Sequence, residues 1–451
     1  MKKKNTIFRA LLASSLATTL LLAGCGGGSQ ETTAIKDDGA KPAEASEKVV
    51  LTFWDENAGP ERTPYYEELI KQFEAENPNI DIEYVGIPNK SSKQKYDASI
   101  AANDTPDVGG VQTSWIADFS AREALVPMDE YFNQWSEKDK MNKGAIEFNR
   151  SVSIDGKLYQ LPTMQNIDIL WYRPDWYQEA GLKAPENWDE FFTAVEKMTD
   201  KGQNRFGFTI RGGKGGSFQL QRMMYAYSGI GEYFDANGKS TVNDPKHVEF
   251  VEKYLGIYKK YTPESDITNA YKEMIAGFDT GAVALVQHNI GSFGEHSKAL
   301  QPGQYAALPL PKTADGKYTV EGGNTNGYAI FKTTKHPDEA WKFVSFLGSA
   351  KSQSYWNQKV GLIPTNSEVL NEQWVKDAQH IQTAFAVLED PNTVFYNPPF
   401  YLPDYRSILD NIVDPGIQAV MSGKKSTQDF LDEWAAAMEK SKQQFDSVMK
   451  K

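Results

Sequence analysis

The chain has 451 residues, 24% of them charged and 40% apolar, and a net charge of −12. That acidity, without any dense Lys/Arg run, argues against nucleic acid or an anionic lipid surface as partner. The length allows two domains of ordinary size.

In chain order, Lys2, Lys3, Lys4 and Arg9 make a basic start, and residues 10–22 are apolar except for Ser and Thr. The run falls short of the ~20 apolar residues of a membrane span. Basic head, short apolar middle and the small pair Ala23-Gly24 describe an export signal over residues 1–24. Leu22-Ala23-Gly24-Cys25 resembles the bacterial lipobox, whose cysteine is acylated and becomes the first residue after cleavage. Cys25 is the only cysteine. Its lipidation leaves no free thiol, which suits an oxidising exterior. Losing the four cations of the export signal takes the net charge to about −16. Residues 25–47 are rich in Gly, Ser, Glu, Lys and Pro and read as a disordered tether, spanning ~25 Å root-mean-square as a flexible coil.

Residues 49–54 ("VVLTFW") predict a strand suited to a parallel sheet. A helix follows, capped by Thr63 with Pro64 at its first position and apolar Tyr66, Leu69, Ile70 and Phe73 at helical spacing. Alternating Ile80, Ile82 and Tyr84 predict the next strand, so the start is a βαβ unit. A helix over 96–102 leads to "TPDVGGVQTSW", a short strand and loop. Residues 159–172 ("YQLPTMQNIDILWY") open a new region. Helices are predicted at 188–198, 218–227, 248–261 and 270–278. Strands are predicted at 205–210, 282–286, 305–310 and 327–331, the third of them crossing back toward the first region. Helices at 337–347 and 350–359 follow. Ser426 opens the last helix, with Asp429 three residues on. No further apolar run reaches spanning length, and no repeat is present. Ligands of open parallel sheets bind beyond the carboxyl ends of the strands, where the loops 55–62 and 109–115 lie.

"FGFTIRGGKGGS" has the context of a phosphate-binding P-loop, but Gly213 stands where the lysine should be and no Ser or Thr follows Lys214 directly. It reads instead as a loop at a cleft rim. His247, His288, His296, His336 and His380 have no ligand-like spacing, so no metal is expected. No cofactor is expected either. Paired carboxylates of a glycoside hydrolase leave no sequence pattern. Aromatic residues make up 12% of the chain, including ten Trp and twenty-two Tyr. Such rings serve cores and sugar faces alike.

Several blocks then resemble one family in order. "VVLTFWDENAGPERTPYYEELIKQFEAENPNIDIEYV" and "TPDVGGVQTSWIADFSAREALVPMDEYF" resemble the opening of family 1 solute-binding proteins of ABC importers. "DGKLYQLPTMQNIDILWYRPDWYQEAGL" is similar to the family's crossover, with Arg173 where the family usually has Asn. "FDTGAVALVQHNIGSF" is similar to a later block but lacks the Trp often found after it. "GGNTNGYAIFKTTKHPDEAWKFVSFLGS" and "SGKKSTQDFLDEWAAAMEK" are similar to the closing blocks.

The resemblance implies a two-lobed α/β fold with a ligand cleft between discontinuous lobes. Lobe one is expected at 48–161 and 312–334, and lobe two at 162–311 and 335–451. It implies a lipid-anchored monomer, outside the bacterial cytoplasmic membrane, that hands a carbohydrate to the permease of an ABC transporter and is not an enzyme. A cell-surface glycoside hydrolase, or a carrier of a non-sugar cargo such as a glycerophosphodiester, stands as the alternative. The cleft residues it implies are Glu56 and Asn57 after the first strand, Gln112, Ser114 and Trp115 after the third, and Gln165, Asn166 and Asp168 at the crossover. Arg211, His288, Asn289, Gly323 and Asn324 follow on later loops. Tyr396, Tyr401 and Tyr405 in "FYNPPFYLPDY" are candidates for a stacking ring. The other reading of Trp115 is a core residue packed with Ile116 and Phe119.

Overall fold

The computed structural model describes residues 48–449. The expected export signal (1–24), the lipidation site Cys25 and the tether (25–47) lie outside the described residues. In chain order the strands are β1 (Val49–Asp55), β2 (Ile80–Gly86), β3 (Val108–Gln112), β4 (Leu161–Gln165), β5 (Asp168–Tyr172), β6 (Leu285–Asn289), β7 (Ala306–Leu308), β8 (Thr319–Glu321), β9 (Thr325–Ile330), β10 (Ile363–Pro364) and β11 (Val394–Tyr396).

The βαβ unit forms as its spacing predicts. β1 and β2 pair in parallel, Val49 opposite Ile80 and Asp55 opposite Gly86. The helix Thr63–Glu76 between them buries Tyr66, Leu69, Ile70 and Phe73. Arg62, not Thr63, occupies the position before the helix, and no side chain caps it. The Thr63 hydroxyl lies 3.1 Å from the Tyr84 hydroxyl instead.

The first sheet has the order β10-β4-β9-β3-β1-β2. It is parallel only in its amino-terminal half, because β9 runs antiparallel to both β3 and β4. The second sheet has the order β6-β5-β7, and β8 with β11 makes a separate pair. Only Asn166 and Ile167 separate β4 in the first sheet from β5 in the second. Residues 322–324 carry the chain back from β8 to β9.

These crossings correct the expected lobe boundaries. β4 belongs to the first sheet although all of it after Leu161 falls in the expected second lobe, and the return to that sheet starts at β9 rather than at 312. The helices Pro337–Gly348 and Ala350–Val360 pack on the first sheet and on the helix Thr63–Glu76. The reason is their apolar faces: Phe343 meets Phe53 and Phe73 edge-on at 5.3 and 5.0 Å, and the Trp356 ring lies 4.1 Å from that of Tyr66. Each buried ring contributes ~1.5–3 kcal/mol, which fixes these helices to that face.

Two other expectations change. The strand predicted at 305–310 is β7, which pairs with β5 and does not cross to the first sheet. The segment 205–210 forms only two isolated bridges, Arg205 with Asp200 and Phe206 with Val283. Beyond it the backbone turns to loop partners, and the Ile210 N–H donates to the Asp266 carboxylate at 2.7 Å. The last helix, Thr427–Met449, starts as predicted: the Asp429 N–H donates to Ser426 Oγ at 3.0 Å, a cap worth ~1 kcal/mol. Among the described residues no helix is long and apolar enough to cross a membrane.

Candidate functional site

The carboxyl ends of β1, β3 and β6 and the crossing at Asn166 converge on one cleft of about 250 Å³. β1 delivers Asp55, Glu56 and Asn57, and β3 delivers Gln112, Thr113 and Ser114. His288 and Asn289 end β6, and Asn324 and Asn326 come from the return crossing and β9. The loop after Ile210 and the helix Gly216–Ser228 add Arg211, Lys214, Phe218 and Arg222.

Short-range geometry holds these groups. Asp55 accepts from the Asn57 N–H at 2.9 Å and from the Tyr84 hydroxyl at 2.8 Å. Asn57 Oδ1 accepts from the Tyr271 hydroxyl at 3.0 Å, so the two walls touch here. Lys272 closes the same side on Glu61 at 2.9 Å. The Tyr271 ring lies parallel to His288, 2° apart with centroids at 5.4 Å. The Asn166 N–H donates to the Asn324 carbonyl at 2.8 Å, tying the two crossings together. Asn166 Oδ1 is buried without a partner in the protein, an acceptor open to a ligand. A Cβ on Gly110 would overlap the Glu56 carboxylate, so the second glycine of "VGGVQ" makes room for that side chain.

The electrostatics follow from enclosure. Burial, and then Asp55, push the Glu56 carboxyl up to about 7. Burial also raises Glu295, opposite Arg62, to about 7. His288 is held well below its ordinary value by burial and by Arg211 and Arg222, so it enters the cleft as a neutral ring. Arg222 lies 2.8 Å from both Asp168 and Glu321, a charged cluster in which Arg222 and Glu321 face the cleft and Asp168 lies behind them. Donors and acceptors of both signs therefore face one small volume, an arrangement that grips a rim of hydroxyls from several directions.

Of the residues expected here, Glu56, Asn57, Gln112, Ser114, Asn166, Arg211, His288, Asn289 and Asn324 line the cleft. The others do not. Gln165 ends a ladder between Thr325 and Ile363. Asp168 sits behind the wall on Arg222, and Gly323 turns the chain just before Asn324. Trp115 is core: its ring is 1% exposed and packs on Tyr96 and Phe119. Tyr396 stacks on Tyr225 at 4.5 Å, and Tyr405 donates to Gln221 at 3.1 Å inside the protein. Tyr401 packs on Phe445. The ring that "FYNPPFYLPDY" turns to the cleft is Phe400. Sequence reading also missed Asp55, Arg62, Phe218, Arg222, Tyr271, Trp356 and Arg406. One signal for two of them was present. Phe218 and Arg222 are four apart on a helix that is otherwise mostly buried, and so share one face. Among the described residues no three or more His, Cys, Asp or Glu gather as a metal site.

Residues 59–354 match the family model described as bacterial extracellular solute-binding protein. The chain belongs to that family. This solute-binding protein is 27% identical over 384 residues to a putative binding protein of Brucella abortus (strain 2308), covering 83% of this chain and 88% of the relative. It is 24% identical to the arabinooligosaccharide-binding protein of Bacillus subtilis (strain 168), covering 97% and 99%. Its fold matches the GacH receptor of Streptomyces glaucescens GLA.O with a TM-score of 0.76 and 21% identity, covering 87% of this chain and 98% of the receptor. The solute-binding protein thus has the two-lobed α/β architecture with the cleft between lobes. The family binds and carries solutes, and the glycoside hydrolase alternative is dropped.

Proposed function

We propose that this protein captures a carbohydrate in the cleft and delivers it to the permease of an ABC importer. The observation that carries the reading is the cleft itself, whose polar groups come from the strand ends of both sheets around the two crossings. A ligand that touches both walls binds the closed arrangement better than an open one, and so shifts the lobes together. The arabinooligosaccharide-binding relative supports a sugar as cargo.

The test joins a thermal-shift screen over sugars with small-angle scattering. A sugar at a hundred times its dissociation constant adds ~2.7 kcal/mol of stability. With that sugar bound, the radius of gyration falls and no new reducing ends form. Binding with an unchanged radius rules out a closing trap, and release of reducing ends rules out a carrier.

The lipobox supports anchoring through Cys25 on the outer face of the bacterial cytoplasmic membrane. The Cys25→Ala protein is expected to fold normally and leave the membrane fraction, because anchoring comes from buried acyl chains at ~0.8 kcal/mol per methylene. Retention of the variant after a salt wash refutes the anchor.

A further inference from the structure

We infer that the cargo is an acidic carbohydrate, whose anionic group sits on the guanidinium of Arg211. The inference rests on the carbohydrate-carrier reading above and narrows it.

One wall of the cleft carries Arg211, Lys214, Arg222 and Arg406. Two of these are already matched. Arg222 faces Asp168 and Glu321, each at 2.8 Å. Arg406 holds Asp410, with Nη2 at 2.9 Å and Nε at 3.0 Å from its oxygens. Arg211 forms no ion pair among the described residues. Its Nε donates to the Lys214 carbonyl at 2.8 Å, which leaves the four N–H groups of the terminal nitrogens. The nearby carboxylate of Asp414 favours the Arg211 charge but makes no ion pair with it, accepting instead from the Gly215 N–H at 2.6 Å and the Ser217 N–H at 2.8 Å. Burial, helped by Arg406 and Arg222, outweighs Asp414 and Tyr271 and pulls Arg211 down to about 10. An anion placed there relieves that crowding.

The glycine-rich loop explains itself in the same terms. Gly215 has φ of 81°, and a Cβ on it would overlap the Arg211 guanidinium. Gly215 of "RGGKGGS" therefore makes room for this side chain, while Gly212 and Gly213 pack on the backbone of residues 266–269. Arg62 also lacks an ion pair among the described residues, yet Glu295, Tyr271 and Asp55 all favour its charge. The carboxylates Asp55 and Glu56 sit on the opposite wall. The unmatched positive charge is thus confined to the Arg211 end. A neutral sugar closed into this cleft leaves an enclosed guanidinium without a directly bonded counter-charge, which is costly. A carboxylate or phosphate meets the planar fork of donors directly.

The test is calorimetric titration of the folded protein. The probes are glucuronate- and galacturonate-terminated disaccharides and trisaccharides, the same sugars with the carboxyl reduced to a hydroxymethyl, and glucose 1-phosphate. The acidic probe is expected to bind at least about tenfold tighter than its neutral counterpart, a difference of ~1.4 kcal/mol. Arg211→Gln is expected to remove that preference, and Arg211→Lys to keep part of it. Preference for the uronate or for the phosphate identifies the anion, and either supports the inference. Equal affinity for acidic and neutral probes in the unmodified protein overturns it, whether or not the variants fold. So does an Arg211→Gln protein that keeps the preference. If neutral sugars alone bind, the inference falls and the carrier reading stands. If no carbohydrate of either kind binds, both fall.

Discussion

Replacing Trp115 by alanine is expected to lower folding stability by ~3–5 kcal/mol, the usual cost of removing a buried Trp, and to leave the affinity of the folded fraction unchanged. The ring is 1% exposed and sits 5.8 Å from Tyr96 and 5.9 Å from Phe119. Tyr96 in turn stacks on Phe331 at 5.4 Å, so the cavity opens in the middle of an aromatic cluster that has little freedom to collapse. The neighbours Gln112, Thr113 and Ser114 line the cleft, but the indole points away from it. Urea unfolding and sugar titration on one preparation decide the matter. A normal unfolding midpoint with weakened binding returns Trp115 to the site.

Replacing Arg222 by methionine is expected to cost a similar ~3–5 kcal/mol, since it strands two buried carboxylates. Asp168 and Glu321 are 5% and 3% exposed, and the guanidinium between them is 14% exposed. The loss should also depend on pH. Burial already raises Asp168 from its ordinary 3.8 to about 6, with Arg222 the largest influence holding it down. Without Arg222 its folded value climbs further. A carboxyl that binds its proton more tightly in the folded state loses stability as pH rises from its unfolded value through its folded one. The penalty is therefore larger at pH 8 than at pH 5, where protonation relieves the stranded charge. Adding Glu321→Gln to the variant should recover part of the loss, because the two positions share one cluster. A penalty equal at both pH values, or an unchanged midpoint, refutes the account.

The amino-terminal βαβ unit was legible because its signals are local. Period-two alternation in Ile80, Ile82 and Tyr84 and the helical stripe from Tyr66 to Phe73 need no distant partner to be read. The failures share the opposite character. The helices at 337–348 and 350–360 have clear periodicity, yet nothing in it says which sheet receives their apolar faces. Phe53, Phe73 and Tyr66, some 270 to 290 positions away, receive them. The antiparallel entry of β9 is likewise a choice between sheets made far along the chain.

The sequence by itself determined the loops that meet in the cleft, because ligand loops follow the carboxyl ends of strands and those strands are visible as hydrophobic runs. Glu56, Gln112, Asn166 and His288 could be named on that ground and from the family's motifs. The glycines of "RGGKGGS" also marked a loop at the cleft rim before any partner was known. Only the tertiary structure decided which aromatic rings face the cleft and which cations there are free. Trp115, Tyr396 and Tyr405 are as suited to a sugar face as Phe218, Tyr271 and Phe400, and composition does not separate them. Their burial depends on Tyr96, Tyr225 and Gln221, neighbours supplied by packing. In the same way Arg211 and Arg222 are equal cations in the sequence. Asp168 and Glu321 neutralise one, and the glycine loop holds the other open, because charge pairing acts over a few ångströms in space rather than along the chain.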